Sequence, residues 1–235
     1  MKALLGWSLV VSALLSCNSI DRLRGKKAPA ADSATAGSAA PAVTPVTVPP
    51  PKSPKVLDLA VGQWTRHAII ESNGNRSSLT YKVVAKEGAA YWLEVVTGAP
   101  NAGAVIQILL ELKERSKPED SQILAARVKM PKGFVKDIRG PMLDASKEAY
   151  KKALRQVFVP DLAAMQKQTV TVPAGTFEQC YRHTETTSFA GMEVSSTLWQ
   201  HPAVPITALV KSVSVDGGTT VELVGFGMEG AKSSM

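Results

Sequence analysis

The sequence predicts a mainly β (α+β) domain, in which an antiparallel curved sheet or half-barrel of about ten strands is covered by one helix at about residues 144–159. Two observations lead to this fold class. From Val56 onward, short segments of alternating apolar and polar residues are separated by turns rich in Gly, Asn and Pro, as in strands with one buried face. One segment instead has the period of an amphipathic helix. A sheet of this many strands curls, and the helix can cover its open face.

Ten segments fit the strand pattern. In Leu79–Lys86, for example, the odd positions are apolar and the even positions are mostly polar. The turns at 71–78 and 86–90 join neighbouring segments, so we expect adjacent strands to form antiparallel hairpins. The predicted strands lie near 64–71, 79–86, 90–97, 104–112, 122–130, 168–172, 176–187, 191–200, 207–215 and 219–227.

The predicted helix runs from Asp144, a suitable N-cap, to Val159, where Pro160 stops it. Lysine and glutamate side chains occupy the positions that are free to face water. Four apolar residues share the opposite face, which we expect to pack on the sheet: Ala149, Ala153, Leu154 and Val157.

The first seventeen residues have the layout of a secretory signal peptide, with one positive charge at Lys2 followed by apolar and small residues over 3–16. This run is shorter than the roughly 20 residues that a membrane-spanning helix needs. The stretch Leu14-Leu15-Ser16-Cys17 resembles the bacterial lipobox. The resemblance implies a bacterial lipoprotein that is cleaved between Ser16 and Cys17 and carries diacylglycerol, with acyl chains such as palmitate, on the Cys17 thiol.

The sequence therefore divides into a lipoprotein signal peptide at 1–16, a lipidated and disordered tether at 17–55, one β-rich globular domain at 56–230 and a disordered tail at 231–235. The tether is predicted from composition, because seven prolines among Ala, Ser, Thr and Val over Ala28–Lys55 leave little apolar surface to bury. Four basic residues next to the lipid are expected to attract an anionic membrane surface, although an untailored polar spacer explains them equally well: Arg22, Arg24, Lys26 and Lys27.

The lipobox resemblance also implies a location in the cell envelope. Asn18 follows the cysteine, rather than the aspartate that tends to retain lipoproteins at the inner membrane in enteric bacteria. We therefore expect the outer membrane, with the domain facing the periplasm, and the cell surface as the alternative. Cys17 and Cys180 are the two cysteines, so lipidation of Cys17 leaves no partner for an intramolecular disulfide.

The composition and motifs favour a protein without catalytic residues, metal or cofactor. The formal charge of +7 is spread along the chain without a basic and aromatic stripe, so no nucleic-acid partner is expected. His67, His183 and His201 match no metal-binding spacing, and no hydrolase motif is found; an uncharacterised hydrolase is the minority alternative.

Six glutamates at alternating strand positions are expected on a solvated outer face: Glu71, Glu94, Glu111, Glu185, Glu193 and Glu222.

The order of strands, helix and the hairpin Val172-Pro-Ala-Gly-Thr-Phe177 resembles the curved-sheet domain of lipoprotein carriers and receptors of the LolA/LolB type. The resemblance spans roughly residues 57–230 and implies a half-barrel that can hold an acyl chain. A closed core between sheet and helix is the alternative. The candidate ligand-lining residues are large and lie on predicted strands: Trp64, Tyr81, Trp92, Ile106, Ile108, Leu110 and Trp199.

Two functional hypotheses remain from the sequence. In the first, a non-enzymatic envelope lipoprotein binds an apolar ligand, which is a lipid or the acyl chain of another lipoprotein, in its curved sheet. In the second, the domain is a tethered structural or protein-interaction module that meets an envelope protein through its surface. Both hypotheses have the membrane as a partner through the lipid anchor.

Overall fold

The computed structural model of this chain describes residues 46–98, 104–129, 133–189 and 192–235. The predicted signal peptide, the cleavage and lipidation site at Ser16 and Cys17, the basic cluster at Arg22, Arg24, Lys26 and Lys27, and the tether up to residue 45 lie outside the described residues. Within the described ranges, no helix combines the length and the apolar character that crossing a bilayer requires.

The described residues form a mainly β fold, as predicted. Its helix, α1, spans Pro141–Ala153, and short 3-10 turns lie at Pro118–Asp120 and Arg155–Val157. Twelve strands belong to one sheet: β1 (Thr47–Val48), β2 (Trp64–Glu71), β3 (Arg76–Glu87), β4 (Ala90–Thr97), β5 (Ala104–Glu111), β6 (Gln122–Lys129), β7 (Val135–Ile138), β8 (Gln166–Val172), β9 (Gly175–Phe189), β10 (Met192–Gln200), β11 (Leu209–Ser214) and β12 (Thr219–Gly227).

The sheet consists of two antiparallel meanders, β2 to β7 and β8 to β12, with α1 between them in the chain. Strand β12 pairs antiparallel with β2, where Leu223 lies opposite His67. This pairing joins the meanders in the order β1-β9-β10-β11-β12-β2-β3-β4-β5-β6-β7, while β8 pairs with β9. The result is an open sheet with one covering helix, which confirms the predicted fold class.

All ten predicted strands are present, and their bounds differ from the prediction by a few residues. The pattern did not indicate β7, because three of its four residues are exposed and Ile138 alone is buried. An edge strand of this kind pairs through its backbone and buries few side chains, so it carries little hydrophobic periodicity.

The predicted extent of the tether is wrong at its end. Val48 is buried, and β1 pairs in parallel with β9 so that Thr47 lies opposite Thr176 and Val48 lies opposite Phe177. The Thr176 amide also donates to the Val46 carbonyl at 2.9 Å. A proline-rich composition argues against a helix or a central strand, but it does not prevent two residues from pairing along a free sheet edge.

The helix begins and ends earlier than predicted. It starts at Pro141, a residue whose fixed φ suits the first helical position, after Gly140 with a φ of 57°. Asp144 therefore lies in the first turn, where its carboxylate is 2.7 Å from Lys147 Nζ. The chain leaves the helix after Ala153 and continues as the 3-10 turn at Arg155–Val157, so the apolar residues near Val157 pack without belonging to α1.

The main core lies between the α1 side of the structure and one face of β3 to β6. Leu143 and Tyr150 of α1 are buried there, together with Leu154 and Val157. The Tyr81 hydroxyl reaches across the layer and donates to the Ala153 carbonyl at 3.3 Å. Each fully buried aliphatic side chain contributes roughly 1.5–3 kcal/mol of stability, so this layer holds the helix against the sheet. We call the covered side the inner face and the opposite side the outer face.

The tail at residues 231–235 is not disordered as predicted. Residues 231–235 have defined positions on the outer face, where the Lys82 ammonium donates to the Ser234 hydroxyl at 2.6 Å and Lys129 donates to the Ser234 carbonyl at 2.6 Å. The tail is polar and short, so its composition resembles that of a disordered terminus. Its partners lie more than a hundred residues away in sequence, and local pattern does not report them.

We expect Gly175→Ala to test whether β1 belongs to the domain. A Cβ at Gly175, which has a φ of 136°, would collide with the Val46 carbonyl oxygen, whereas Gly217, with a φ of 70°, has open space around the same position. Both variants strain a left-handed backbone. Gly175→Ala should lower the free energy of unfolding by about 2–3 kcal/mol and Gly217→Ala by about 1 kcal/mol, as measured by denaturant unfolding. Equal losses would contradict the docking of β1.

Candidate functional site

Four of the seven candidate ligand-lining residues lie in the packed core. Tyr81, Ile106, Ile108 and Leu110 are at most 6% exposed and pack together with α1 and the segment after it. The helix therefore fills the part of the inner face where the sequence placed an open apolar surface. For these four residues the structure shows the closed core that was the alternative.

The three tryptophans lie apart from that core and from one another. Trp92 faces outward and packs in a small cluster with Leu109 and Ala125, and its indole nitrogen donates to Glu87 at 3.0 Å. Trp64 also faces outward, because it lies opposite Lys82 in the register of β2 and β3.

Trp199 lies beside the second core, in which Phe177 and Cys180 are fully buried. Its indole nitrogen donates to Gln168 at 2.8 Å. The seven residues named from sequence therefore do not converge on one site.

A cleft of about 770 Å³ does occur, and connecting segments build most of it. It lies where residues 54–59, 112–116 and 159–162 meet beside the start of β4. Its volume is in the range typical of small-molecule sites. The apolar residues that line it are Pro54, Val56, Leu59, Tyr91, Leu112, Val159, Pro160 and Leu162, and the charged ones are Lys55, Asp58, Lys113, Glu114, Arg115 and Asp161.

Arg115 holds the walls of this cleft together. Its side chain is buried, and its guanidinium donates to three backbone carbonyls: to Leu57 at 2.6 Å, to Val157 at 3.0 and 3.2 Å, and to Ile206. The Val159 amide in turn donates to the Arg115 carbonyl at 3.0 Å. Three segments that are distant in sequence are thus bound to one side chain.

The charge of Arg115 is retained despite its burial. Burial lowers the pKa of Arg115 to about 10, and the negative charge of Asp58 partly opposes this shift. A group with that pKa is protonated at neutral pH. The cleft therefore has a fixed cation in its wall, whose hydrogen-bond donors point at carbonyl oxygens.

A second cavity, of about 20 Å³, lies on the inner face between the 3-10 turn and strands β9 to β11. Gln156 Oε1, His183 Nδ1 and Gln200 Oε1 line it, and each is buried without a hydrogen-bond partner among the described residues. Arg155 and Glu185 form an ion pair at its edge at 2.6 Å. The space is of the size that holds one water molecule, so it is too small for a larger ligand.

The buried ionisable groups of the inner face are held in their neutral forms. Burial lowers the pKa of His67 to about 4, although Nε2 lies 3.0 Å from the Leu209 carbonyl, a bond that opposes the shift. Burial raises the pKa of the Cys180 thiol to about 12. At neutral pH the His67 imidazole is therefore neutral and the Cys180 thiol is protonated.

Glu94 departs from the prediction that the strand glutamates are solvated. Its side chain is 0% exposed, and its carboxylate accepts hydrogen bonds from Lys82 at 2.8 Å and from Gln107 at 2.9 Å. Burial alone would raise the pKa of Glu94, but these bonds and the bond from the Ser234 amide outweigh it and lower the pKa. In the sequence, Gln107 could have indicated the buried position of Glu94, because it interrupts the apolar run of β5 and lies directly opposite Glu94.

No protein-family model and no curated protein matches the chain. Among solved structures, the chain is similar to a Bacteroides fragilis protein described as a "putative exported protein with YmcC-like fold", at 9% identity and a TM-score of 0.32. The match covers 72% of this chain and 96% of that protein. A likeness at this level supports neither a shared fold nor a shared role.

We expect Arg115→Met to destabilise the domain, because the variant removes a buried cation and leaves three carbonyls without their donor. The free energy of unfolding should fall by about 3–5 kcal/mol, as measured by denaturant titration. Arg66, which is exposed on β2, provides the matched control, and Arg66→Met should change stability by less than about 0.5 kcal/mol. Similar losses in the two variants would show that Arg115 is not a structural tie.

Proposed function

We propose that this chain is an exported, non-enzymatic lipoprotein of the bacterial cell envelope, whose β-domain binds an apolar chain in the cleft beside Arg115. The observation that carries the binding proposal is the 770 Å³ cleft with its apolar lining. The ligand class is a lipid or the acyl chain of another lipoprotein. The site differs from the one first expected, because it lies among connecting segments and not on the sheet under α1.

The composition of the cleft favours an amphiphile over a purely apolar molecule. Leu59, Val159 and Leu162 are nearly buried and offer an apolar floor, whereas Lys55 and Lys113 are exposed at the rim. Each methylene buried on such a floor contributes about 0.8 kcal/mol. A ligand with one apolar chain and a polar head would match both parts of the cleft.

The lipobox supports the proposed anchoring, with the outer membrane as the proposed location and the periplasm as the compartment of the domain. Because β1 is part of the domain, the tether shortens to residues 18–45. Such a segment reaches roughly 85 Å at most, at ~3.1 Å per residue in the polyproline conformation. The domain would then contact ligands held in, or delivered to, the same membrane.

Lipidation predicts selective labelling at one cysteine. In cells that express the full chain, an alkyne analogue of palmitate should label the wild type and the Cys180→Ala control, and both should sediment with membranes. Cys17→Ala should lose the label, because the acceptor thiol is absent. The measurement is gel fluorescence after coupling of a dye to the alkyne. Label that persists in Cys17→Ala would contradict the proposed anchor.

If the ligand binds in the cleft, a bulky side chain placed inside the cleft should block binding, and the same side chain placed outside it should not. Val56 is half-buried in the cleft and Val61 is 50% exposed outside its lining, so Val56→Trp should fill the cleft and Val61→Trp should not. A fluorescent long-chain fatty acid should bind the wild type and Val61→Trp saturably, and Val56→Trp at least about tenfold more weakly, a loss of about 1.4 kcal/mol. Absent binding to the wild type, or equal affinity in both variants, would exclude the cleft as the site.

A further inference from the structure

The outer face contains a row of polar side chains that crosses the sheet at right angles to its strands. The residues of this row are direct neighbours in the strand register, one from each of β2 to β6: Trp64, Lys82, Glu94, Gln107 and Arg127. They alternate along their strands with residues of the main core, so they point away from α1. We call this set the outer row.

The tail lies along the outer row and follows it from β2 towards β6. Just before the tail, the indole nitrogen of Trp64 donates to the Glu229 carbonyl at 3.2 Å, and the amide of the first tail residue, Ala231, donates to the Gly62 carbonyl at 2.9 Å. Farther along, Lys82 Nζ donates to the Lys232 carbonyl at 2.9 Å. The tail therefore crosses the strands instead of extending the sheet.

The Ser233 and Ser234 positions make the densest contacts. Both carboxylate oxygens of Glu94 accept from the Ser234 amide, at 2.9 and 3.1 Å, and one of them accepts from the Ser233 hydroxyl at 3.1 Å. Gln107 Nε2 donates to the Ser233 hydroxyl at 2.8 Å. The outer row thus contacts the backbone of the tail and the hydroxyl groups of its two serines.

The tail covers polar groups, and this makes it replaceable. When it leaves, Lys82, Glu94 and Gln107 exchange its hydrogen bonds for bonds to water, so none of the three is left buried without a partner and each lost bond costs only its net contribution. Lys232 and Ser233 are exposed in the bound tail, so little apolar surface is uncovered. A segment with few buried apolar contacts opens locally at far lower cost than the domain unfolds.

We infer that the outer row is a binding site for an extended segment of a partner protein, and that the tail of this chain occupies it in competition. The partner segment has two consecutive serine or threonine residues followed by an acidic residue. The hydroxyls would take the places of Ser233 and Ser234. This site is distinct from the proposed cleft and does not depend on it.

The acidic residue follows from charges at the β6 end of the row. Lys129 Nζ contacts the Ser234 carbonyl at 2.6 Å, and Arg127 is the next member of the row, stacked over the Trp92 ring at 4.2 Å. In the tail, the residue that follows Ser234 is Met235, whose side chain is uncharged. An acidic side chain at that position would add a carboxylate that both cations attract, which gives a partner an advantage over the tail.

The test uses labelled peptides and a chain that ends after Gly230. A fluorescein-labelled Gly-Ala-Lys-Ser-Ser-Met peptide should bind the shortened chain, and binding to the intact chain should be at least about tenfold weaker because its own tail competes at a high effective concentration. Fluorescence anisotropy provides the affinities. The same peptide with Glu in place of Met should bind more tightly, by about threefold or more at low salt, with the difference shrinking as salt is added.

Glu94→Gln in the shortened chain should weaken peptide binding by about tenfold, because a charge-assisted acceptor becomes a neutral amide. The matched control is Glu222→Gln, which breaks another cross-strand pair, Lys211 with Glu222 at 2.9 Å. If the shortened chain fails to fold, Ser234→Pro in the intact chain serves instead. Proline has no backbone N–H, so the variant loses the hydrogen bond from residue 234 to Glu94 and frees the site without a deletion.

Several outcomes would overturn the inference. A shortened or Ser234→Pro chain that binds no more tightly than the intact chain would show that the outer row is no peptide site. Equal binding by Glu94→Gln and Glu222→Gln would remove Glu94 from recognition. Equal affinity for the Met and Glu peptides would exclude the acidic residue. Self-association of the intact chain that is lost with the tail would identify a second copy as the occupant.

Discussion

The hydrogen bonds of Arg115 are the interaction on which the arrangement of the connecting segments depends. Its guanidinium binds the carbonyls of Leu57, Val157 and Ile206, and so connects the approach to β2, the turn after α1 and the loop before β11. Ile206 has a φ of 61°, a left-handed conformation that is rare for a β-branched residue and that the surrounding contacts must maintain. Oriented carbonyl dipoles offset the cost of burying the cation. The cleft exists because these segments meet there.

The alternation of side chains along β3 to β6 gives the sheet two faces with different chemistry. On the inner face, the apolar residues of β3 to β6 are covered by α1, so this area is filled. On the outer face, the same strands present Lys82, Glu94 and Gln107 at the positions between those core residues. Because a strand directs alternate side chains to opposite sides, one register builds both a dry core and a polar row, and each is covered by a different part of the chain.

Much of the fold was predictable because periodicity is a local property. The alternation in Leu79–Lys86 and the helical period that includes Ala149 and Ala153 depend on neighbouring residues and identified a strand and a helix correctly, although the buried residues of the helix are Leu143 and Tyr150. The errors occurred where a distant segment decides the outcome. Strand β1 pairs with β9 across more than a hundred residues, the helix start depends on Gly140 and Pro141, and the burial of Glu94 requires Ser233 and Ser234.

The sequence by itself determined the fold class, the ten longer strands and the covering helix of the described residues, and it contains the lipobox-like stretch from which export and anchoring are proposed. The tertiary structure alone decided that the core is closed under α1, that a cleft lies beside Arg115 and that the tail covers the outer row. The physical reason is that alternation shows which residues share a face of a strand. It does not show which remote segment will cover that face, because covering requires contacts whose partners carry no common local pattern.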